Sequence, residues 1–112
     1  MQDCIFCKIV RGDIPSKKFY EDEQVVAFHD INPCAKTHFL VVPKKHIRSM
    51  ADIEESDRDL IGHMMFMGQK LAKEQGLKGW KMLFNVEKEG GQVVFHIHLH
   101  VLGGGVISLD EC

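Results

Sequence analysis

The sequence predicts an α+β domain, a five-stranded antiparallel sheet with one long helix on a face and a short helix near the N-terminus. Three observations point there. Short runs rich in Val, Ile, Phe and Thr lie between turn residues, one central segment repeats apolar residues at three- and four-residue spacing, and Phe95-His96-Ile97-His98-Leu99-His100-Val101 alternates with period two. Strands joined by short polar turns pair antiparallel, and a single long helix then covers one face. A length of 112 residues, 45% hydrophobic, suits one domain over 1–112, with 103–112 as a variable C-terminal tail.

Each element has a local reason. Asp3 is an N-cap for a short helix whose stripe is Ile5, Phe6, Ile9 and Val10, with Gly12 as its stop. Cys4 and Cys7 then lie three apart on one face. Lys17 to Glu21 and Gln24 to Asp30 read as two strands around Glu21-Asp22-Glu23, and Asn32-Pro33 breaks the second. His38 to Pro43 is a third strand that ends at a proline, which has no N–H for a ladder. Ser56, with Asp59 three residues on, marks the start of the long helix, Asp57 to about Gln75. Leu60, Ile61, Met64, Met65, Met67, Leu71 and Ala72 should face the sheet, with Arg58, Gln69, Lys70, Lys73 and Glu74 outside. Trp80 to Glu87 is the fourth strand and the histidine stretch the fifth.

Bulk properties exclude several classes. A net charge of −2 lacks the basic stripe of a nucleic-acid binder, so a small ligand is expected rather than nucleic acid. No apolar run could cross a membrane and the first residues do not read as a signal peptide, so a soluble cytoplasmic protein is expected. In that compartment four cysteines read as reduced thiols or metal ligands. Cys34 and Cys112 read as unpaired and are assigned no role.

The histidine stretch carries the chemistry. In a strand His96, His98 and His100 share one face, about 6.5 Å apart at each step, while Phe95, Ile97, Leu99 and Val101 take the core face. An edge strand with solvated histidines is the plainer reading, but such a surface would mix Thr, Lys, Ser and Glu. A row of imidazoles that titrate near neutrality can supply a nucleophile, a donor to a charged phosphoryl group and a proton. The glycines of Gly90-Gly91-Gln92 let backbone N–H groups approach an anion, and the Gln amide adds a donor.

Gln92-x-Val94-x-His96-Ile97-His98-Leu99-His100-Val101-Leu102 resembles the signature of the histidine-triad superfamily. The likeness extends through Cys4-Ile5-Phe6-Cys7, Asp13-Ile14-Pro15-Ser16, Ala27-Phe28-His29-Asp30-Ile31-Asn32-Pro33 and Thr37-His38-Phe39-Leu40-Val41-Val42-Pro43-Lys44-Lys45-His46. It is closest to the Hint-like nucleotide-binding branch. The resemblance implies a homodimer with a continuous sheet and a purine nucleotide ligand, AMP- or GMP-like. It also implies a phosphoramidase that cleaves P–N bonds in nucleoside 5′-phosphoramidates through a nucleotidyl-histidine. By the same resemblance His98 is the nucleophile, His100 contacts the α-phosphate and assists the leaving group, and His38 supports them. Asp30 holds the ribose, and Ile31, Asn85, Gly91, Gln92 and Val93 contact the nucleotide. Phe6 and Phe28, with Ile5, Ile9, Ile31 and Leu40, match positions that sandwich the base.

Two features depart from the commonest pattern. Val93 stands where many members carry a serine, and a valine cannot hydrogen-bond a phosphoramidate nitrogen. Cys4, Cys7, His46 and His96 together offer a Cys2His2 set of the type that holds a structural zinc, with no cofactor required for the chemistry. That assignment takes His96 out of the catalytic group. Alternatives remain at this point: hydrolysis of dinucleoside polyphosphates, a regulatory nucleotide-binding protein with incidental hydrolysis, or a metalloprotein whose metal is held by His96, His98 and His100.

Overall fold

The structure is a computed structural model and describes residues 4–105. The expected cap Asp3 and most of the tail, 106–112, lie outside the described residues. Helix α1 is Ile5–Arg11 and α2 is Arg58–Glu74; the strands are β1 (Lys18–Glu21), β2 (Val25–His29), β3 (Thr37–Pro43), β4 (Trp80–Leu83) and β5 (Leu99–Gly103). They form one five-stranded sheet in the order β1-β2-β3-β5-β4, with every neighbouring pair antiparallel. No described helix is long and apolar enough to cross a membrane.

Local chemistry explains the joins. Cys4 Sγ accepts the Cys7 N–H and so caps α1. Asp22 Oδ1 accepts the N–H groups of Gln24 and Val25, at 2.7 and 2.8 Å, which makes the β1–β2 turn. Asp22 Oδ2 also bonds His63 Nε2 at 2.7 Å, so His63 ties α2 to that turn.

Period two sorts the sheet into two faces. Val25, Ala27, Phe39, Val41, Leu99 and Val101 face α2 and pack with Leu60, Met64, Met67, Leu71 and Ala72. Val26, Phe28, Leu40 and Val42 point the other way and are covered by Phe6 and Ile9 of α1. Burying side chains of this size contributes roughly 1.5–3 kcal/mol each, so the α2 face holds most of the core and the α1 face is left thin. On that thin face Asp30, just past the end of β2, and His38, the second residue of β3, come out beside His100 of β5.

Gly68 lets α2 lie close on the sheet, because a Cβ there would meet Met82 Cε at 2.7 Å and Leu99 Cδ2 at 2.8 Å. Several sequence expectations need correction. The long helix is not started by Ser56: a short 3-10 turn, Glu55–Asp57, precedes it, and Glu54 and Asp57 form a reciprocal capping box. Asp57 wins because its carboxylate also receives Lys45 Nζ at 2.6 Å. Met65 is 40% exposed rather than in the core, and Phe66 beside it is 57% exposed. The fourth strand stops at Leu83 because Asn85 to Gln92 curl into a tight turn.

The fifth strand is shorter than the alternation suggests. It begins at Leu99, so His96 and His98 lie on an irregular approach segment and His100 alone of the three is in a strand. Ile97 still reaches the α2 core, but Phe95 does not; its ring lies 4.7 Å under the Arg48 guanidinium. Without ladder bonds nothing holds residue 95 to the period-two pattern. Cys4 and Cys7 are free thiols, whereas Cys34 is disulfide-bonded, against the expectation that all the cysteines stay reduced or bind metal. Cys-x-x-Cys spacing speaks for its own pair and carries no information about Cys34.

Candidate active site

Three elements of the thin face converge on a chain of imidazoles with a definite direction. The Cys34 backbone N–H donates to His38 Nδ1 at 3.1 Å. That nitrogen is therefore bare, and the His38 proton sits on Nε2, 3.0 Å from His100 Nδ1. His100 Nδ1 accepts in turn, which leaves its own proton on Nε2. Asp30 Oδ2 lies 3.5 Å from His38 Nε2 on the flank of this chain, while Asp30 Oδ1 accepts the Asn32 N–H.

His98 is fixed separately. Its Nδ1 is 2.8 Å from the backbone carbonyl of His96, an atom that can only accept, so Nδ1 carries the proton and Nε2 presents a lone pair. The His98 and His100 ring centres are 4.8 Å apart, and the Phe6 ring meets His98 edge-on at 4.9 Å. Burial is the first cause of lowered pKa values throughout: His98 and His38 fall below the ordinary imidazole value, and His100 falls to about 4, helped by His98 and His38. Near neutral pH all three rings are thus uncharged, which is what a nitrogen nucleophile requires.

Part of the expected nucleotide set is assembled here. Asp30, His38, His98 and His100 come together with Phe6, whose ring is 5.6 Å from Phe28. Ile31 follows Asp30 and is 82% exposed, a large apolar side chain open to solvent at the rim. Asn85, Gly91, Gln92 and Val93 lie in the turn that leads into the histidine segment, where Gly91 has φ 85°, the left-handed region that glycine favours. Asn85 Nδ2 closes that turn on Gly90 O at 2.9 Å. Val93 is 85% exposed.

Gln92 does not offer its amide to a ligand. Its Nε2 donates to Arg48 O and Val94 O and its Oε1 accepts the Glu87 N–H, all within 3.1 Å, and the side chain is buried. It braces the turn, and the N–H groups of Gly90, Gly91 and Gln92, expected to face an anion, are instead bonded to Glu87 O and Lys88 O within the turn, each at 3.0 Å.

The second cluster lies behind the first. Cys4 Sγ and Cys7 Sγ are 3.3 and 3.6 Å from His96 Nδ1, Cys7 Sγ is 3.3 Å from His46 Nδ1, and the two Nδ1 atoms are 3.1 Å apart. All four potential ligand atoms lie within 4.8 Å of one another. His96 is fully buried, and its Nε2 is 2.8 Å from Pro43 O, so the ring's proton is on Nε2 and a lone pair points into the cluster. Burial brings His96 down to about 4 and lowers His46 as well, while burial and the neighbouring Cys4 raise the Cys7 thiol. The triad of the sequence is therefore divided in space: His98 and His100 belong to one site, His96 to the other.

Sequence reasoning missed three contributors. The Cys34 N–H and the Pro43 carbonyl set the protonation sites of His38 and His96, yet such backbone groups leave no residue-type signal. Arg48 is the third; its spacing from His46 in the chain was the sole hint that it neighbours the site.

With this geometry in hand, comparison with known proteins is direct. Residues 3–107 match the family described as scavenger mRNA decapping enzyme C-term binding. Protein HitA of Neisseria gonorrhoeae is 46% identical over 104 residues, covering 92% of this chain and 97% of its own. A solved HIT family hydrolase from Legionella pneumophila Philadelphia 1 superposes with a TM-score of 0.94 at 44% identity, covering 96% of this chain and 98% of the other. More distant matches include a Zn-bound histidine triad family protein from Mycobacterium smegmatis, with TM-score 0.84, 34% identity, and coverage of 99% and 84%. A histidine triad nucleotide-binding protein from Candida albicans has TM-score 0.81 and 33% identity, with coverage of 98% and 85%. The chain is a member of the histidine-triad (HIT) superfamily, close to its HIT family hydrolases.

Proposed function

We propose that this protein hydrolyses the P–N bond of purine nucleoside 5′-phosphoramidates, adenosine conjugates first among them, through a covalent nucleotidyl-histidine. The observation that carries the proposal is the bond from His98 Nδ1–H to the His96 carbonyl, which leaves a neutral ring with its Nε2 lone pair available. That lone pair forms an N–P bond while the P–N bond to the leaving group breaks and its electron pair departs with the amine, which takes up a proton. Water then opens the phosphohistidine, releasing the nucleoside monophosphate and returning the proton.

The directed chain from Cys34 through His38 leaves His100 with an Nε2–H, the group suited to a phosphoryl oxygen or the departing nitrogen. Burial makes that donor effective, since a hydrogen bond to developing charge is stronger where water is scarce. Asp30 suits the ribose hydroxyls. The nucleotide-binding relative from Candida albicans accords with such a ligand.

Cys4, Cys7, His46 and His96 fit a structural zinc, as the Zn-bound Mycobacterium smegmatis relative also suggests. When bound, zinc would fasten α1 to the segment that carries His98. The Pro43 carbonyl on His96 Nε2 is the outer partner that orients a ligand imidazole. A homodimer is part of the proposal: β4 is an edge strand, and the exposed Met65 and Phe66 lie on α2.

The test is mass spectrometry of protein quenched during turnover of an adenosine phosphoramidate, with a dinucleoside polyphosphate offered in parallel. A nucleotidyl adduct on residue 98, lost with turnover in His98→Ala, is expected. Turnover retained by His98→Ala would end the proposal, and faster cleavage of the polyphosphate would reassign the substrate.

A further inference from the structure

Glu87 is the one residue other than glycine with positive φ among the described residues, at φ 62° and ψ 174°. That combination belongs almost entirely to glycine, so an L-residue there has to be held by its surroundings. What the strain accomplishes is visible in the bonds around it. The Glu87 N–H reaches Gln92 Oε1 at 2.8 Å, and its carbonyl accepts the N–H groups of Gly90 and Gln92, both at 3.0 Å. These bonds close the turn whose glycines precede the histidine segment.

The restraint is Arg48. Its guanidinium takes both Glu87 carboxylate oxygens, at 2.6 and 3.0 Å, and lies over the Phe95 ring. Its backbone carbonyl takes Gln92 Nε2 at 2.9 Å. One residue thus grips the turn at its start, at its brace and at the residue before His96. An ion pair this exposed, with the side chains 52% and 37% accessible, adds little stability by itself. A two-pronged contact does fix orientation, and orientation is what a strained turn lacks.

We infer that Arg48 and Glu87 are positioning residues that hold the turn ahead of the histidine segment, and through it His98, in register for a phosphate. The inference rests on the proposed nucleotide ligand and adds the device that organises its phosphate end. Neither residue needs to touch the ligand.

Calorimetric titration of AMP and of adenosine separates phosphate from nucleoside binding. Arg48→Met and Glu87→Gln should each weaken AMP about fivefold, close to the value of one hydrogen bond, and leave adenosine unchanged. The double variant should bind AMP no worse than the weaker single, because both remove one contact. Glu87→Gly relieves the strained φ and should melt no earlier than wild type, yet bind AMP weakly; it guards against loss of fold as the cause. Equal weakening of both ligands, unchanged AMP affinity in the singles, or losses that multiply in the double would each overturn the inference. If wild type binds AMP no better than adenosine, the phosphate reading of the turn falls and takes this inference with it, an outcome separate from a failure confined to the variants.

Discussion

Lowering the pH from about 6.5 to about 4 should unfold this protein largely through its histidines. His96 and His100 are each lowered from 6.5 to about 4, with burial the largest cause. In that window the unfolded chain binds protons that the folded chain refuses. Their contribution to stability is therefore complete above about 6.5 and is lost as pH falls toward about 4. At 1.36 kcal/mol per pKa unit, each ring accounts for about 3 kcal/mol and the pair for about 7 kcal/mol. A domain of this size has roughly 5–15 kcal/mol in total, so most of it is at stake. His38, His46 and His98 are lowered too and act in the same direction. Urea unfolding midpoints in chelator, from neutral pH down to about 4, should show stability falling with a slope of at least about two protons near the middle of the window. His100→Gln should reduce that slope by about one. A flat profile over the window, or an unchanged slope in His100→Gln, would refute the claim that these rings are held neutral by burial.

Two further outcomes follow from packing and from the second cluster. Protein purified without chelator should carry about one zinc per chain, and Cys7→Ser should abolish it; a metal-free wild type would remove the site. Gly68→Ala should lower the melting temperature, because overpacking costs about 1–3 kcal/mol and the gain in helix propensity returns about 1 kcal/mol. The Leu99 methyl 2.8 Å from the new Cβ is buried and has little room to yield. A melting temperature equal to wild type would mean the helix can shift, and that the close approach is not required.

Much of this fold was legible because side-chain period and backbone period coincide. β2, β3 and α2 announce themselves through residues that are buried, and burial is what hydropathy patterns report. Legibility fails where a few polar contacts override the pattern. Glu54, Asp57 and Lys45 start α2 through a capping box that Ser56 imitates in sequence. Residues 93–98 alternate like a strand without pairing as one: the bonds at their start run from the Gln92 side chain to Arg48 O and Val94 O, and the ladders to β3 and β4 begin only at Leu99 and His100. In the site itself the ionisable members were readable as residue types. The backbone groups that fix the protons of His38 and His96 were not, because they depend on where Cys34 and Pro43 lie in space.

Those proton positions also decide which of the two His-rich clusters can hold a metal. Asp30, His38 and His100 place three ligand atoms within 4.8 Å, as the Cys4, Cys7, His46 and His96 set does with four. For His38 to bind a cation through Nε2, its proton would have to move to Nδ1 and oppose the Cys34 N–H that now donates to it. Two donors would then face each other across 3.1 Å in a buried pocket, an arrangement that costs at least an orphaned hydrogen bond. In the other cluster the only fixed ring proton, on His96 Nε2, is aimed away at Pro43 O, and the lone pairs and thiols converge. A cation there displaces no established donor, and it replaces the close approach of two Nδ1 atoms 3.1 Å apart with shared ligation. The same residue type is thus kept as a proton-bearing relay on one side of His98 and as a lone-pair donor on the other, and the difference is made by which atom of the backbone each ring meets.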